Sequence, residues 1–325
     1  MKKQMVWIGV ACGAWPAFPQ TVISFDPPRS VITYPAGINR SGSIAGVYYD
    51  ANGSGHGFIR NAFGSIASFD VANAAVTQPW SISDSGVVTG TYTDAGGRTH
   101  SFIRGAAGGI LTFDTPGSIE TDARSINTAG MITGNYFDST AAGHAFVRGP
   151  AGTFSTFDLP GSAATYAYSI NASGSVTGHY NDSSGTPHGF ARGPAGGLAP
   201  FDVSGSSGTI PVSINRMGII AGYYFDASRG VHGFLRNPSG NITPFDVAGG
   251  SGTEPWSVND SGAIAGYYFS SGRSHGFVRN AGGTITAFDP PASTGTVALS
   301  INASGTVTGY YFDANGQAHG FVFRP

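Results

Sequence analysis

The stretch GYYFDANGQAHGFVFRP, residues 309–325, decides the fold of this chain by what it lacks. Six earlier segments resemble it, and each of them continues to a Phe-Asp pair, whereas this one does not. A Phe-Asp segment with no such partner, TVISFDPP, stands at residues 21–28. The two ends are therefore complementary, and the segments between them define the repeat.

The repeat is about 44 residues long. Successive Phe-Asp pairs are 44 residues apart, and only the last interval is 43. A histidine and a Gly-x-x-x-Gly pair follow the same interval. The Phe-Asp pairs are Phe25-Asp26, Phe69-Asp70, Phe113-Asp114, Phe157-Asp158, Phe201-Asp202, Phe245-Asp246 and Phe288-Asp289.

Each period predicts four short strands, A to D. In residues 80–114 they are WSIS, VVTGTYTD, HSFIR and GILTFD, separated by turns rich in Gly, Asn, Asp and Ser. This pattern predicts an all-β fold, a seven-bladed β-propeller of four-stranded blades, as a single domain over residues 21–325. The segment at residues 21–28 would complete the last blade as its D strand and close the ring, which removes an open sheet edge. A β-solenoid, the alternative, does not explain a spare strand at one end and a missing one at the other.

The repeat resembles the HAF repeats of extracellular bacterial proteins, which are named after His-Ala-Phe. That motif stands here as His144-Ala145-Phe146, and as His-Gly-Phe in other repeats, beside SINASG and GxVTG elements. The resemblance covers residues 21–325. In the family the sequence commonly continues to Trp after the motif, whereas this chain has Arg. The resemblance implies an exported repeat protein and no particular chemistry.

Residues 1–20 differ from the rest of the chain. Lys2 and Lys3, the only lysines, precede a short apolar run, and the small residues Cys12 and Ala14 follow it. This pattern predicts a secretory signal peptide and a secreted, extracellular or periplasmic protein, with a disordered tail as the alternative. The apolar run is far shorter than the roughly 20 residues of a membrane-spanning helix.

The composition excludes several classes of protein. The net charge of −2 and a charged fraction of 10% argue against a nucleic-acid partner, which requires a basic surface. Cys12 is the only cysteine, so neither a disulfide nor a cysteine-ligated metal is expected. Hydrophobic residues make up 40% of the chain, enough for a core, and we expect a monomer with no membrane span.

The polar residues that recur in every repeat predict a structural network. In a four-stranded meander, Asp50, His56 and Asp70 gather on one face, while Arg60 lies toward the other face near Asn39. Seven copies argue against catalysis and favour hydrogen bonds that fix the loops of each blade. The alternative is a metal site in each blade, formed by Asp50, His56 and Asp70, with calcium as the candidate ion because DANGSG and DANGQA resemble calcium loops. No other cofactor is expected.

Function is expected where the repeats differ. Two positions that precede strand A vary, and both should surround the mouth of the central channel on the face of the D–A connections. In successive repeats, the residues at the first position are Tyr34, Gln78, Asp122, Tyr166, Ile210, Glu254 and Val297. Those at the second position are Ala36, Trp80, Arg124, Tyr168, Val212, Trp256 and Leu299. The predicted ligand-binding residues are Tyr34, Gln78, Trp80, Asp122, Arg124, Tyr166, Tyr168, Glu254 and Trp256. The alternative is that these side chains only fill the channel. His179, the one histidine outside the 44-residue pattern, is expected to pack between blades.

Two functions fit this mouth. The first is a non-enzymatic binding or scaffold propeller for an extracellular glycan or another polymer, because aromatic faces beside carboxylates suit a sugar. The second is an extracellular glycoside hydrolase or polysaccharide lyase that uses Asp122 and Glu254, with Arg124 beside them. Blades three and six are expected to hold these carboxylates too far apart for a glycosidase pair. Motifs of other hydrolases, such as Gly-x-Ser-x-Gly, do not occur.

Overall fold

The computed structural model describes residues 21–325, and every element in that range is a β-strand. The predicted signal peptide at residues 1–20 lies outside the described residues. No helix that is long and apolar enough to cross a membrane occurs between residues 21 and 325.

The strands are named in chain order. The first fourteen are β1 (Thr21–Phe25), β2 (Ile32–Ile38), β3 (Ile44–Tyr49), β4 (Gly55–Arg60), β5 (Ile66–Phe69), β6 (Val76–Ile82), β7 (Val88–Thr93), β8 (Thr99–Arg104), β9 (Ile110–Phe113), β10 (Glu120–Ile126), β11 (Ile132–Phe137), β12 (Gly143–Arg148), β13 (Phe154–Phe157) and β14 (Ala164–Ile170). The others are β15 (Val176–Asn181), β16 (Pro187–Arg192), β17 (Leu198–Phe201), β18 (Gly208–Ile214), β19 (Ile220–Phe225), β20 (Val231–Arg236), β21 (Ile242–Phe245), β22 (Gly252–Val258), β23 (Ile264–Ser270), β24 (Arg273–Arg279), β25 (Ile285–Phe288), β26 (Gly295–Ile301), β27 (Val307–Phe312) and β28 (Ala318–Arg324).

These strands form antiparallel groups of four, which we call blades 1 to 7 in the order of their A strands. Blade 1 is β2 to β5, blade 6 is β22 to β25, and each intervening blade takes the next four strands. Blade 7 has the order β26-β27-β28-β1, so the first strand of the chain pairs with the last. Their register runs from Thr21 opposite Arg324 to Phe25 opposite Gly320. The prediction that the N-terminal strand completes the last blade is therefore confirmed.

Strand A begins earlier than predicted. In blade 2 it starts at Val76 and not at Trp80, so both variable positions lie inside the strand. The prediction was wrong because Pro79 and the non-repeating Gln78 hide the strand pattern. Proline is tolerated there because A is the innermost strand and has a free edge.

A core lies between neighbouring blades. The phenylalanine of each C strand is completely buried, as for Phe58, which packs edge-on against Phe25 at 6.0 Å between ring centroids. Its equivalents are Phe102, Phe146, Phe190, Phe234, Phe277 and Phe321. Burying an aromatic side chain supplies roughly 1.5–3 kcal/mol, so each of the repeated Phe positions contributes substantially to the stability of its blade.

Candidate ligand site at one end of the channel

Every A strand contains a β-bulge at the second variable position. In blade 3 the register between β10 and β11 shifts between Ala123 and Ser125, which leaves Arg124 without a partner across the strand. The same shift leaves Ala36, Trp80, Tyr168, Val212, Trp256 and Leu299 as bulge residues. Bulges redirect side chains next to functional sites.

The bulge residues surround a common space. All seven line one cavity of about 260 Å³, which we call the inner cavity. Its wall also contains the residue that follows each bulge, which is Gly37 in blade 1 and a serine in the other six blades, for example Ser81 and Ser125. Residues far apart in the chain, from Ala36 to Leu299, are thus brought together.

A second cavity of about 320 Å³ adjoins the inner cavity and shares Trp80 and Trp256 with it. We call it the aromatic cavity. Its wall is formed by Tyr34, Pro35, Ala36, Val47, Gln78, Pro79, Trp80, Trp256, Tyr267, Val297, Leu299 and Tyr310. Val47, Tyr267 and Tyr310 come from the B strands and were not predicted as site residues. These three residues occupy the repeat position that His179 holds in blade 4. This position varies between repeats in the sequence, but from the sequence His179 there is expected to pack between blades.

The aromatic rings of this cavity are held by one another. Trp256 stacks on Tyr267 at 6.3 Å with 20° between the ring planes. Tyr34 meets Tyr310 edge-on at 4.8 Å. Trp80 donates its indole hydrogen to Thr91 Oγ1 at 3.2 Å. The cavity therefore presents preorganised aromatic faces, which are well suited to a flat ligand with apolar faces.

The Asp122 and Arg124 side chains form an ion pair at 2.5 Å. The Arg124 guanidinium also lies 4.5 Å above the ring of Trp80. Burial raises the pKa of Asp122, and the positive charge of Arg124 opposes that shift. The pair thus lies at the boundary between the aromatic cavity and the more polar part of the mouth.

Glu254 is bound separately, by the Tyr267 hydroxyl, which donates to its Oε2 at 2.5 Å. Burial raises the pKa of Tyr267, and Glu254 raises it further. Neither Glu254 nor Asp122 is among the residues that line the two cavities. The geometry thus gives the two carboxylates different partners and does not place them together as an acid and base.

His179 is buried, as the sequence predicts, with 9% of its surface exposed. It stacks on Tyr166 at 4.9 Å and lies 5.4 Å from the ring of Tyr168. Burial lowers the pKa of His179 to about 4, so the imidazole is neutral at pH 7. Tyr166 and Tyr168 are therefore positioned by a histidine that occurs in blade 4 alone.

The repeated histidines lie outside these cavities, near the start of each C strand. His56 Nδ1 is 3.0 Å from Asp70, and its Nε2 is 3.7 Å from Asp50 Oδ2. Asp50 Oδ1 accepts hydrogen bonds from the backbone of Asn52 and Ser54. Residues 21–325 contain no group of three or more His, Cys, Asp or Glu side chains arranged to hold a metal ion. The Asp and His side chains of a blade are thus joined to one another and to the backbone of the B–C loop by hydrogen bonds.

The repeated arginine serves a different contact. The Arg60 guanidinium lies 4.9 Å from the Phe25 ring of the neighbouring blade, and its equivalents repeat the contact. Arg60 also lines a small pocket with Arg40 and Asn302 beside the A–B turns. It therefore lies toward the face opposite the Asp-His network, as predicted.

Comparison with solved structures supports the β-propeller fold. The chain is similar to a streptogramin B lyase, with 12% identity and a TM-score of 0.64 over 94% of this chain and 98% of that one. A catalytically inactive virginiamycin B lyase from Staphylococcus aureus, solved with quinupristin, gives 13% identity and a TM-score of 0.65 over 94% and 100%. The β-propeller domain of the trilobed protease from Pyrococcus furiosus gives 10% and 0.65 over 90% and 95%.

These similarities concern the fold alone, since the identities are low and the propellers differ in what they do. No protein-family model matches the chain. No curated protein matches it either. A function for this chain must therefore be argued from its own mouth residues.

Proposed function

We propose that this protein is a secreted, non-enzymatic binding or scaffold propeller that holds a carbohydrate unit of an extracellular polymer in the aromatic cavity. The observation that carries the proposal is the convergence of Tyr34, Trp80, Trp256, Tyr267 and Tyr310 on one cavity of about 320 Å³. Aromatic faces stack on the apolar faces of sugar rings, and pockets of roughly 300–1,000 Å³ are typical of small-ligand sites.

The proposal includes a closed ring of seven blades. Blade 7 meets blade 1 through the same hydrogen bonds that join other neighbours: Asn302 Nδ2 donates to the Asn39 carbonyl at 3.1 Å. The Ile38 amide donates to Ser300 Oγ at 3.3 Å. A closed ring gives the mouth a fixed shape, because each bulge residue is held between two neighbours.

Export and a monomeric state belong to the proposal as well. The pattern of residues 1–20 and the resemblance to HAF repeats both support an exported protein. We propose that the folded domain over residues 21–325 acts outside the cell membrane or in the periplasm, where polysaccharides are accessible.

The test uses a protein in which Trp7 and Trp15 are changed to Phe, so that only Trp80 and Trp256 fluoresce. Its intrinsic fluorescence is titrated with a panel of oligosaccharides, and the products are analysed for cleavage. We expect a saturable change, without cleavage, that Trp80→Phe or Trp256→Phe reduces. No response across the panel would contradict the carbohydrate proposal, and cleavage would contradict the non-enzymatic one.

A further inference from the structure

Polar atoms without partners are concentrated around the mouth. In residues 21–325, ten buried side-chain nitrogen or oxygen atoms have no hydrogen-bond partner. Five are Nε atoms of the repeated arginines, whose guanidinium groups stack on phenylalanine rings. Four of the remaining five are Asp122 Oδ1, Arg124 Nε, His179 Nδ1 and Trp256 Nε1. Because buried polar groups are nearly always hydrogen-bonded, these four require partners that the protein does not supply.

These four side chains belong to one region. Trp256 lines both cavities, and Arg124 lines the inner one. Asp122 is ion-paired with Arg124, and His179 lies 5.4 Å from the ring of Tyr168, which forms part of the inner wall. The unpartnered atoms therefore lie in or directly behind the walls of the mouth.

The unpartnered atoms specify the chemistry of a ligand. Trp256 Nε1 and Arg124 Nε are donors only, so they require an acceptor. Asp122 Oδ1 belongs to a carboxylate, so it requires a donor. A hydroxyl group supplies both functions, whereas a carboxylate or a sulfate supplies acceptors only.

The charges at the mouth disfavour an anion. Arg124 is the only cation among the fourteen variable positions, and Asp122 already neutralises it. The neutral imidazole of His179 adds no positive charge. An acidic sugar would therefore bring a charge into the mouth that no free cation compensates, and burial of an unpaired charge is costly.

We propose that the ligand of the mouth is a neutral sugar unit, one hydroxyl group of which accepts a hydrogen bond from Trp256 Nε1 while its apolar face lies on the aromatic cavity. This inference rests on the proposed carbohydrate function and names its substrate class. The two tryptophans then have different roles: Trp256 donates a hydrogen bond to the sugar, and Trp80 contributes only its ring, since its indole hydrogen is already bound by Thr91.

The tryptophans provide a matched pair of variants. Both Trp256→Phe and Trp80→Phe keep an aromatic ring at the mouth, but only the former removes an indole donor that has no hydrogen-bond partner in the protein. A hydrogen bond of about 1–1.5 kcal/mol corresponds to about tenfold in affinity. We expect Trp256→Phe to weaken binding about tenfold more than Trp80→Phe does, and Asp84→Asn, at the opposite end of the channel, to leave affinity unchanged. Equal losses for the two tryptophan variants would overturn the assignment of the donor.

The charge preference is tested with immobilised glycans and the full-length protein, by surface plasmon resonance. Three neutral backbones are each compared with an acidic counterpart: cello-oligosaccharides with cellouronate, galactan with polygalacturonate, and mannan with polymannuronate. We expect binding to a neutral member, with its acidic counterpart at least about tenfold weaker. Tighter binding of an acidic glycan would overturn the neutral-sugar inference and leave the carbohydrate proposal standing. Retention on none of the surfaces would overturn both.

Discussion

At the scale of residues, glycine in strand B makes the bulge possible. A Cβ atom on Gly134 would overlap the backbone carbonyl of Asp122 and lie 2.9 Å from Ala123 Cα. The same close approach of strand A occurs at Gly46, Gly90, Gly178, Gly222, Gly266 and Gly309. The repeated glycine is therefore the local cause of the bulge that turns Arg124 and its equivalents into the channel.

We predict that Gly134→Ala destabilises the protein by about 2–4 kcal/mol, because the backbone of strand A cannot move away without breaking the ladder. The measurement is the free energy of unfolding from urea denaturation. The control is Gly109→Ala, since nothing lies within 4 Å of a Cβ at that position. Equal free energies of unfolding for the two variants would show that the close approach at Gly134 does not contribute to stability.

The histidine networks make stability depend on pH. Burial lowers the pKa of His144, but hydrogen bonds and charges from Asp158 and Asp138 outweigh it and raise the pKa above its usual value. A raised pKa in the folded state means that the stabilisation is complete below about pH 6.5, the unfolded value, and is lost as the pH rises through the folded value.

We therefore predict that His144→Gln costs roughly 0.5 kcal/mol more at about pH 5.5 than at about pH 8.5, a modest effect because the carboxylates are partly exposed. Urea unfolding at both values measures it. The control is the double variant Asp138→Asn/Asp158→Asn, which removes the two carboxylates beside His144, and in that background we expect His144→Gln to cost the same at both pH values. A difference that persists in that background would contradict this explanation.

At the scale of elements, two belts of hydrogen bonds join the A strands. In one, an asparagine side chain donates to the backbone carbonyl of the next blade, as Asn171 does to Asn215 at 3.0 Å. In the other, a serine hydroxyl accepts from the next blade's amide, as Ser125 does from Ile170. Each belt has one gap, where Ser83 replaces asparagine and Gly37 replaces serine. Both gaps flank blade 2, which carries Trp80.

We predict that Ser83→Asn stabilises the protein by about 1 kcal/mol, because it would add the missing bond to the Asn127 carbonyl. It would also keep the turn, since Ser83 Oγ accepts from Val87 as Asn39 Oδ1 accepts from Ser43. Urea denaturation measures this change in the free energy of unfolding. Asn171→Ser is the reverse control, and we expect it to lower the free energy of unfolding by a similar amount. A destabilised Ser83→Asn would show that the gap is required by the local packing.

Most elements could be predicted from the sequence, because the strand pattern, the turn residues and the 44-residue interval agree with one another. The start of strand A could not, because Pro79 and the variable residues break the pattern there. The mouth positions Trp80 and Trp256 were found through differences between repeats. Tyr267 and Tyr310 were missed, because alternation within a strand does not show which side chains of neighbouring blades share a cavity.

At the scale of the whole molecule, the fold depends on pairing between the two ends of the chain. β1 supplies Phe25, which packs on Phe58 of blade 1, and it is followed directly by Asp26, which binds His319 at 2.7 Å. We predict that removal of residues 1–25 leaves β28 with an open edge and gives an aggregated or unfolded protein. Removal of residues 1–20 alone is the control and should leave a folded monomer by size-exclusion chromatography. A folded monomer without β1 would show that the pairing of β1 with β28 is dispensable.

Fluorine NMR of the full-length protein labelled with 5-fluorotryptophan tests directly whether the mouth binds a sugar. The four tryptophans give four signals, which are assigned with single Trp→Phe variants. The neutral oligosaccharide that binds most tightly in the surface plasmon resonance experiment is then titrated into the labelled protein. We predict that the signals of Trp80 and Trp256 shift together and saturate at one dissociation constant, while those of Trp7 and Trp15 do not move. Saturable binding that leaves Trp80 and Trp256 unshifted would place the ligand elsewhere and contradict the account.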